Sequence, residues 1–413
     1  MKKTHALFIL FILSLTISTA QTVDVVTGLT GNPNRLLIHG NDLYFTEQIT
    51  HQLSKIDISS SSPTPVTVVS GILDPASMVL HGNDMYIGEG DKISLVDLSS
   101  ANPSAQEAVS GVLSAFGIAI NGTDLYISEF SANKISKIDL TASTPILEDV
   151  VTGLNGPADI IFNGDDLYVA ERNGNKITKI DITLATPVAV DFVTGLTNPF
   201  GLLLNGNDLY FTEITANKVS KVDITDLTPS ATDVLTGLSG PNRLTLDGNQ
   251  LYISEYSADK ISKIDISTPT PIASDVVTGL NGPVGIGIKE NSLYIVEYES
   301  DKVSKFNLAV LVSSIDVQGQ GGANTITIDD GTLQMEATVL PANADDGTYT
   351  WSVVNGTGTA SIDANGLLTA LTNGTVDVVA TANDASGITG MTTITISNQT
   401  VGINEANGLL SGV

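Results

Sequence analysis

The 413-residue chain is 42% hydrophobic and 15% charged, so it can bury a sizeable core and is long enough for two or three domains. It has no cysteine, which excludes a disulfide framework, a thiol nucleophile, a cysteine-ligated metal and a lipid-modified N-terminal cysteine. Its four histidines, His5, His39, His51 and His81, are too few for a histidine-rich zinc site, and the net charge of −27 makes nucleic acid a poor partner.

Residues 1–20 read as a secretory signal. Lys2 and Lys3 precede an apolar run at 6–17, and Ser18-Thr19-Ala20 is a small-residue cleavage site before Gln21. The run is short for a spanning helix, so no membrane span is expected after cleavage. Loss of the two lysines takes the formal charge from −27 to −27 − 2 = −29. The acidity reads as solubility and a weak attraction for cations.

From residue 22 a repeat begins. The stretch LYISEYSADKISKID at 251–265 has six relatives, and their tyrosines, Tyr44, Tyr86, Tyr126, Tyr168, Tyr210, Tyr252 and Tyr294, lie 42, 40, 42, 42, 42 and 42 residues apart. Each repeat holds four β-capable runs separated by Gly, Pro and Asn turns, the pattern of a propeller blade. In the repeat that starts at Gly240 the runs are 244–247, 251–255, 260–266 and 275–278. The second and third runs predict a hairpin in which Glu129 faces Lys134, Ile127 faces Ser136 and Tyr126 faces Lys137. The second repeat is two residues shorter. A Gly90-Asp91 loop absorbs the deletion and leaves Glu89 opposite Lys92 and Tyr86 opposite Leu95. The segment VDVVTGL at 23–29 matches the fourth runs at 149 and 275, while the last repeat has no fourth run. The N-terminal strand is therefore expected to complete a seventh blade and remove the free sheet edges.

The LYxxE and NKIxKID stretches resemble NHL-type and YWTD-type propeller repeats, and also the SMP-30/gluconolactonase and streptogramin-lyase propellers, over residues 22–310. This resemblance implies the fold; the motif occurs in binders, scaffolds and enzymes alike. The lactonase metal site uses a glutamate near the start of the chain, where this sequence has Gly31-Asn32-Pro33. The lyase family's catalytic histidine has no counterpart either, since no histidine follows His81.

Residues 312–398 resemble a bacterial immunoglobulin-like group 2 domain through LQMEATVLP at 333–341, YTWSV at 349–353, IDANGLLTAL from 362 and GTVDVVA at 374–380, with a last strand at 392–396. Trp351, the one tryptophan, is expected in the core. The resemblance implies an extracellular sandwich that serves as spacer or adhesive module. Residues 399–413 are expected to be a flexible tail.

Three sets of residues are candidates for function. Glu47, Glu89, Glu129, Glu171, Glu213, Glu255 and Glu297 end the second runs and form an acidic ring toward one rim. They are expected to pair with the hairpin lysines or cap a neighbouring blade, the alternative being a ring that binds a cation or cationic ligand. On the other rim Asp57, Asp97, Asp139, Asp181, Asp223 and Asp265 lie beside the turn aspartates Asp42, Asp84, Asp124, Asp166 and Asp208. No cofactor is expected from them, or at most a weakly held divalent cation such as calcium. The third set is where the repeats disagree. Twelve of the 16 Lys and Arg after residue 20 occupy two repeated lysine positions, and the exceptions are Arg35, Arg172, Arg243 and Lys289. Arg35 and Arg243 occupy equivalent places where other repeats have Ser77, Gly117, Asp159, Gly201 or Gly285. With Asn34 and Asn242 beside them, they are expected at the mouth of the central channel, where arginine either pairs with the rim glutamates or holds a carboxylate or sulfate.

The expected architecture is all-β, a seven-bladed propeller followed by an immunoglobulin-like sandwich, exported from a bacterial cell. The expected function is non-catalytic binding or adhesion, by a monomer, of an extracellular glycan or protein. The alternative is a lactonase- or lyase-like enzyme with a metal or carboxylates at the channel mouth.

Overall fold

The computed structural model describes residues 23–400 apart from residue 385; residues 1–22, with the expected signal segment, and 401–413 lie outside the described residues. The chain divides into two compact units, one ending at Asn307 and the other starting at Leu308. No helix among the described residues is long and apolar enough to cross a membrane.

The first unit is a ring of seven four-stranded antiparallel sheets. Their inner strands, here numbered blades 1 to 7, are Pro33–His39, Ser77–His81, Ala115–Asn121, Pro157–Asn163, Pro199–Asn205, Pro241–Asp247 and Pro283–Lys289. Each inner strand lies beside that of the next blade, and that of blade 7 lies beside that of blade 1. The hairpin register is the one the sequence predicts: Glu129 opposes Lys134, Ile127 opposes Ser136 and Tyr126 opposes Lys137. In blade 2 Tyr86 opposes Leu95, and the Glu89 N–H donates to the Lys92 carbonyl across the two-residue loop.

Each second strand is buried on both faces because blades stack face to face. In blade 3, Leu125 and Ile127 pack with Tyr86 and Ile93 of blade 2, while Tyr126 packs with Leu167 and Val169 of blade 4. Alternation thus serves two neighbours at once, and each fully buried side chain of this kind contributes about 1.5–3 kcal/mol. The strand Val23–Val26 closes the ring by pairing with Lys302–Asn307. Asp24 meets Lys302 at 3.0 Å, the role that Asp149 plays for Lys134 in blade 3.

The inner strands begin earlier than the sequence pattern suggests. In blade 6 the strand starts at Pro241, not Leu244, because a bulge between Pro241 and Leu244 carries the intervening residues. Blade 1 has the same bulge between Pro33 and Leu36. A bulge re-aims the side chains it carries, and these are the positions of Asn34-Arg35 and Asn242-Arg243.

The second unit is a two-sheet sandwich. One sheet has the strands Ser314–Gly319, Thr332–Leu340, Leu367–Thr372 and Thr359–Ile362; the other has Thr325–Ile326, Thr389–Ile396, Gly374–Ala382 and Tyr349–Asn355. Val317, Met335, Leu368, Val376, Val378 and Ile394 fill the space between them. Two expectations are corrected here. The last strand begins at Thr389, and Trp351 is half-buried because its strand lies at a sheet edge, where it packs over Gly366. Gln399 is buried and bonded to Asn373 and Ile328, and the Thr400 N–H donates to Asp329 at 2.8 Å, so the sandwich holds the chain this far.

Candidate binding site at the channel mouth

The acidic ring is internal to the blades. All seven glutamates are at most 1% exposed. In blade 3 one Glu129 oxygen accepts from the Ser136 hydroxyl and lies 3.2 Å from Lys134 Nζ, and the other accepts from the Leu113 N–H at 2.8 Å. The same set recurs at Glu89, Glu171, Glu213, Glu255 and Glu297, with distances to lysine of 3.2–3.9 Å. Glu47, which faces Gln52, instead accepts from Gln52 Nε2 at 2.8 Å and from the Ser54 and Thr50 hydroxyls. In six blades the carboxylate therefore ties the hairpin to the turn leading into its own inner strand, in blade 1 it ties the hairpin to itself, and the cation-ring alternative has no exposed oxygens to use.

The opposite rim is also committed to structure, apart from Asp84, whose blade has Leu95 where the others have a lysine. Asp57, Asp97, Asp139, Asp181, Asp223 and Asp265 each accept from the N–H and hydroxyl of the Ser or Thr two residues on. These bonds hold their carboxyls below the usual range. Asp42, Asp124, Asp166 and Asp208 pair with Lys55, Lys137, Lys179 and Lys221 at 2.6–2.7 Å. Among the described residues no group of three or more His, Asp or Glu is arranged to hold a metal ion. Lys289 donates to the Gly40 carbonyl and lies 3.3 Å from Asn41 Oδ1, away from the mouth.

The mouth itself gathers residues from six blades. Arg35 of blade 1 reaches over blade 2, donating Nε to the Ala76 carbonyl and Nη2 to the Phe116 carbonyl at 3.3 Å. Its guanidinium lies 5.8 Å from the centre of the Phe116 ring. Arg243 of blade 6 reaches over blade 5. It lies 4.5 Å over the Phe200 ring and donates Nη1 to Asp159 of blade 4 at 2.8 Å. Arg172 lies 5.5 Å from Phe200 and donates Nε to Asn198 at 2.9 Å. Phe116 and Phe200 meet edge to face at 5.7 Å. Cation–π pairs of this kind contribute about 0.5–2 kcal/mol each and hold the guanidinium planes in place.

Asp159 Oδ2 accepts both from Arg243 and from the Leu202 N–H at 3.0 Å. Burial pushes its carboxyl above the usual carboxylate range, with the Arg35 charge pulling the other way. Burial likewise lowers the Arg35 guanidinium from its ordinary value, opposed by Asp159. Arg243 Nη2 is buried and makes no hydrogen bond to any described residue. An unpaired buried donor on a charged group costs at least about 1–3 kcal/mol, so this arrangement disfavours the free state and suits an acceptor arriving at the mouth.

Arg35, Asp159 and Arg243 are thus brought together, and Arg172 joins them through Phe200. Asn34 and Asn242 are half-buried one position earlier and pack by backbone: their carbonyls lie 2.9 and 2.5 Å from where a Cβ on Gly285 or Gly201 would stand. Phe116 and Phe200 escape the sequence reading. They share the repeat position of Asn34, Ala76, Ala158, Asn242 and Val284, so a comparison of repeats one residue earlier would have found them.

The molecule resembles known proteins in parts. The first unit has the fold of virginiamycin B lyase from Staphylococcus aureus, with a TM-score of 0.57 and 18% identity over 70% of this chain and 98% of that one. The extracellular domain of the one component system BT4673 from B. thetaiotaomicron aligns over 91% of this chain and 59% of its own length, with a TM-score of 0.55 and 13% identity. A tail tube protein, pb6, of Escherichia phage T5 is 39% identical over 88 residues; the chain spans only 18% of that protein's length. Residues 312–392 match the family Bacterial Ig-like domain (group 2), so the chain joins a propeller of the streptogramin-lyase fold to a domain of that family.

Proposed function

We propose that the protein is an exported, non-catalytic recognition protein. Its propeller mouth binds a carboxylate or sulfate group of an extracellular glycan or protein, and its immunoglobulin-like unit serves as spacer or adhesive module. The observation that carries this reading is the convergence of Arg35, Arg172 and Arg243, the only arginines in a chain of formal charge −27, around one pair of phenylalanines. Ten lysines, by contrast, pair with carboxylates inside or between strands. Guanidinium is the group suited to planar, two-point recognition of carboxylate and sulfate.

The propeller fold also hosts enzymes, and Asp159 is the one titratable group at this mouth with a raised carboxyl pKa. Two hydrogen bonds already engage its Oδ2, and His39, His51 and His81 lie on inner-strand ends or a hairpin loop rather than beside it. The binding reading therefore has the better support. It is tested by screening purified protein against sulfated and uronic-acid glycans, with the Arg35→Ala/Arg243→Ala double variant alongside. Loss of binding by a variant that still folds is expected. Unchanged binding by a folded double variant overturns the reading.

A further inference from the structure

We infer that Asp159 is a built-in counter-ion that sets the charge selectivity of the mouth, competing with the ligand rather than contacting it. The inference rests on the mouth being an anion site. Asp159 Oδ2 occupies Arg243 Nη1 at 2.8 Å and is fixed there by the Leu202 N–H at 3.0 Å. Arg35, from the opposite side of the ring, is near enough for its charge to act on the same carboxylate. The position is also singular. Where blade 4 has Asp159, the other blades have Arg35, Ser77, Gly117, Gly201, Arg243 and Gly285, so no other blade places a carboxylate at this point. Three guanidinium charges and one carboxylate leave two net positive charges at the mouth.

Coulomb energy is linear in ligand charge. Removing the Asp159 charge therefore multiplies the affinity for a dianion by the square of the factor gained by a monoanion. If a monoanion gains about threefold, a dianion gains about tenfold. A purely structural Asp159 gives no such relation, because loosening the mouth weakens both anions alike. The groups facing Asp159 are the Arg35 and Arg243 guanidiniums and the Leu202 and Ile160 N–H groups, so Asp159 is the carboxylate among them. Protonation of Asp159 as pH falls through its raised range should reproduce the effect of its removal.

The experiment titrates sulfate and methanesulfonate, which share a head group and differ in charge, into purified protein. Binding is read from the arginine Nε–H resonances, of which the chain has only three. Asp159→Asn is expected to raise the sulfate gain to about the square of the methanesulfonate gain. Sulfate affinity in the unmodified protein is expected to rise as pH falls, and the variant to show no such rise. Should Asp159→Asn not fold, the pH series on the unmodified protein decides alone. Binding that is lost in Arg35→Ala/Arg243→Ala but keeps an unchanged sulfate-to-methanesulfonate ratio and no pH slope overturns the counter-ion role and leaves the anion site standing. No binding of either anion to either protein overturns both.

Discussion

The seven hairpin glutamates and the three mouth arginines lie toward the same rim of the propeller, and the chain uses them in opposite ways. Each glutamate is repeated in register, fully buried, and bonded to a hydroxyl or amide and, in six blades, to a lysine and a backbone N–H. The arginines occur singly, half-buried, and keep a donor unpaired at Arg243 Nη2. A group that every blade needs is spent on the blade. A group that only one or two blades carry, at the start of an inner strand or just past a second strand, is free to serve the ring as a whole.

Substitutions on the two sides should therefore separate stability from binding. The largest loss of stability is expected at Glu129→Ala, which strips Lys134, Ser136 and the Leu113 N–H of a buried partner. About 3–5 kcal/mol is expected, read as a fall in the denaturant midpoint. If the protein tolerates it unchanged, the glutamates are not structural. Gly201→Ala should cost less, about 1–3 kcal/mol, because the new methyl would stand 2.5 Å from the Asn242 carbonyl. It should also weaken anion binding by displacing the strand that carries Arg243, so it alone should move both readouts. Lys137→Met removes only the half-exposed pair with Asp124 at 2.7 Å; a loss of about 0.2–1 kcal/mol is expected, with binding untouched.

Most of the propeller is legible in the sequence because its register is overdetermined. Tyr126, Glu129 and Lys134 agree on one pairing, and the two-residue deletion in blade 2 leaves that pairing intact. The arginines of the mouth are legible for the complementary reason, as departures from the repeat. Phe116 and Phe200 are departures as well, one position earlier, but an inner strand read as starting at Leu244 leaves that position looking like turn. Without a charge to single them out they pass as ordinary turn residues, since the bulge that brings them into the strand has no side-chain period. Trp351 fails differently: alternation reports which face a residue is on, while its exposure depends on whether the strand has a neighbour on each side.

The closing strand has a consequence for how the molecule is made. Asp24 meets a lysine that lies 278 residues further along the chain, so this strand waits for the last hairpin of the ring before it has a partner. Six blades can form in succession as their residues emerge. The seventh, and with it the circular stacking that brings Arg35 round to Asp159 and Arg243, cannot form until nearly all of this unit exists. The mouth is thus assembled only at the moment the circle shuts, and a chain cut short before Lys302 would carry the three arginines without a site.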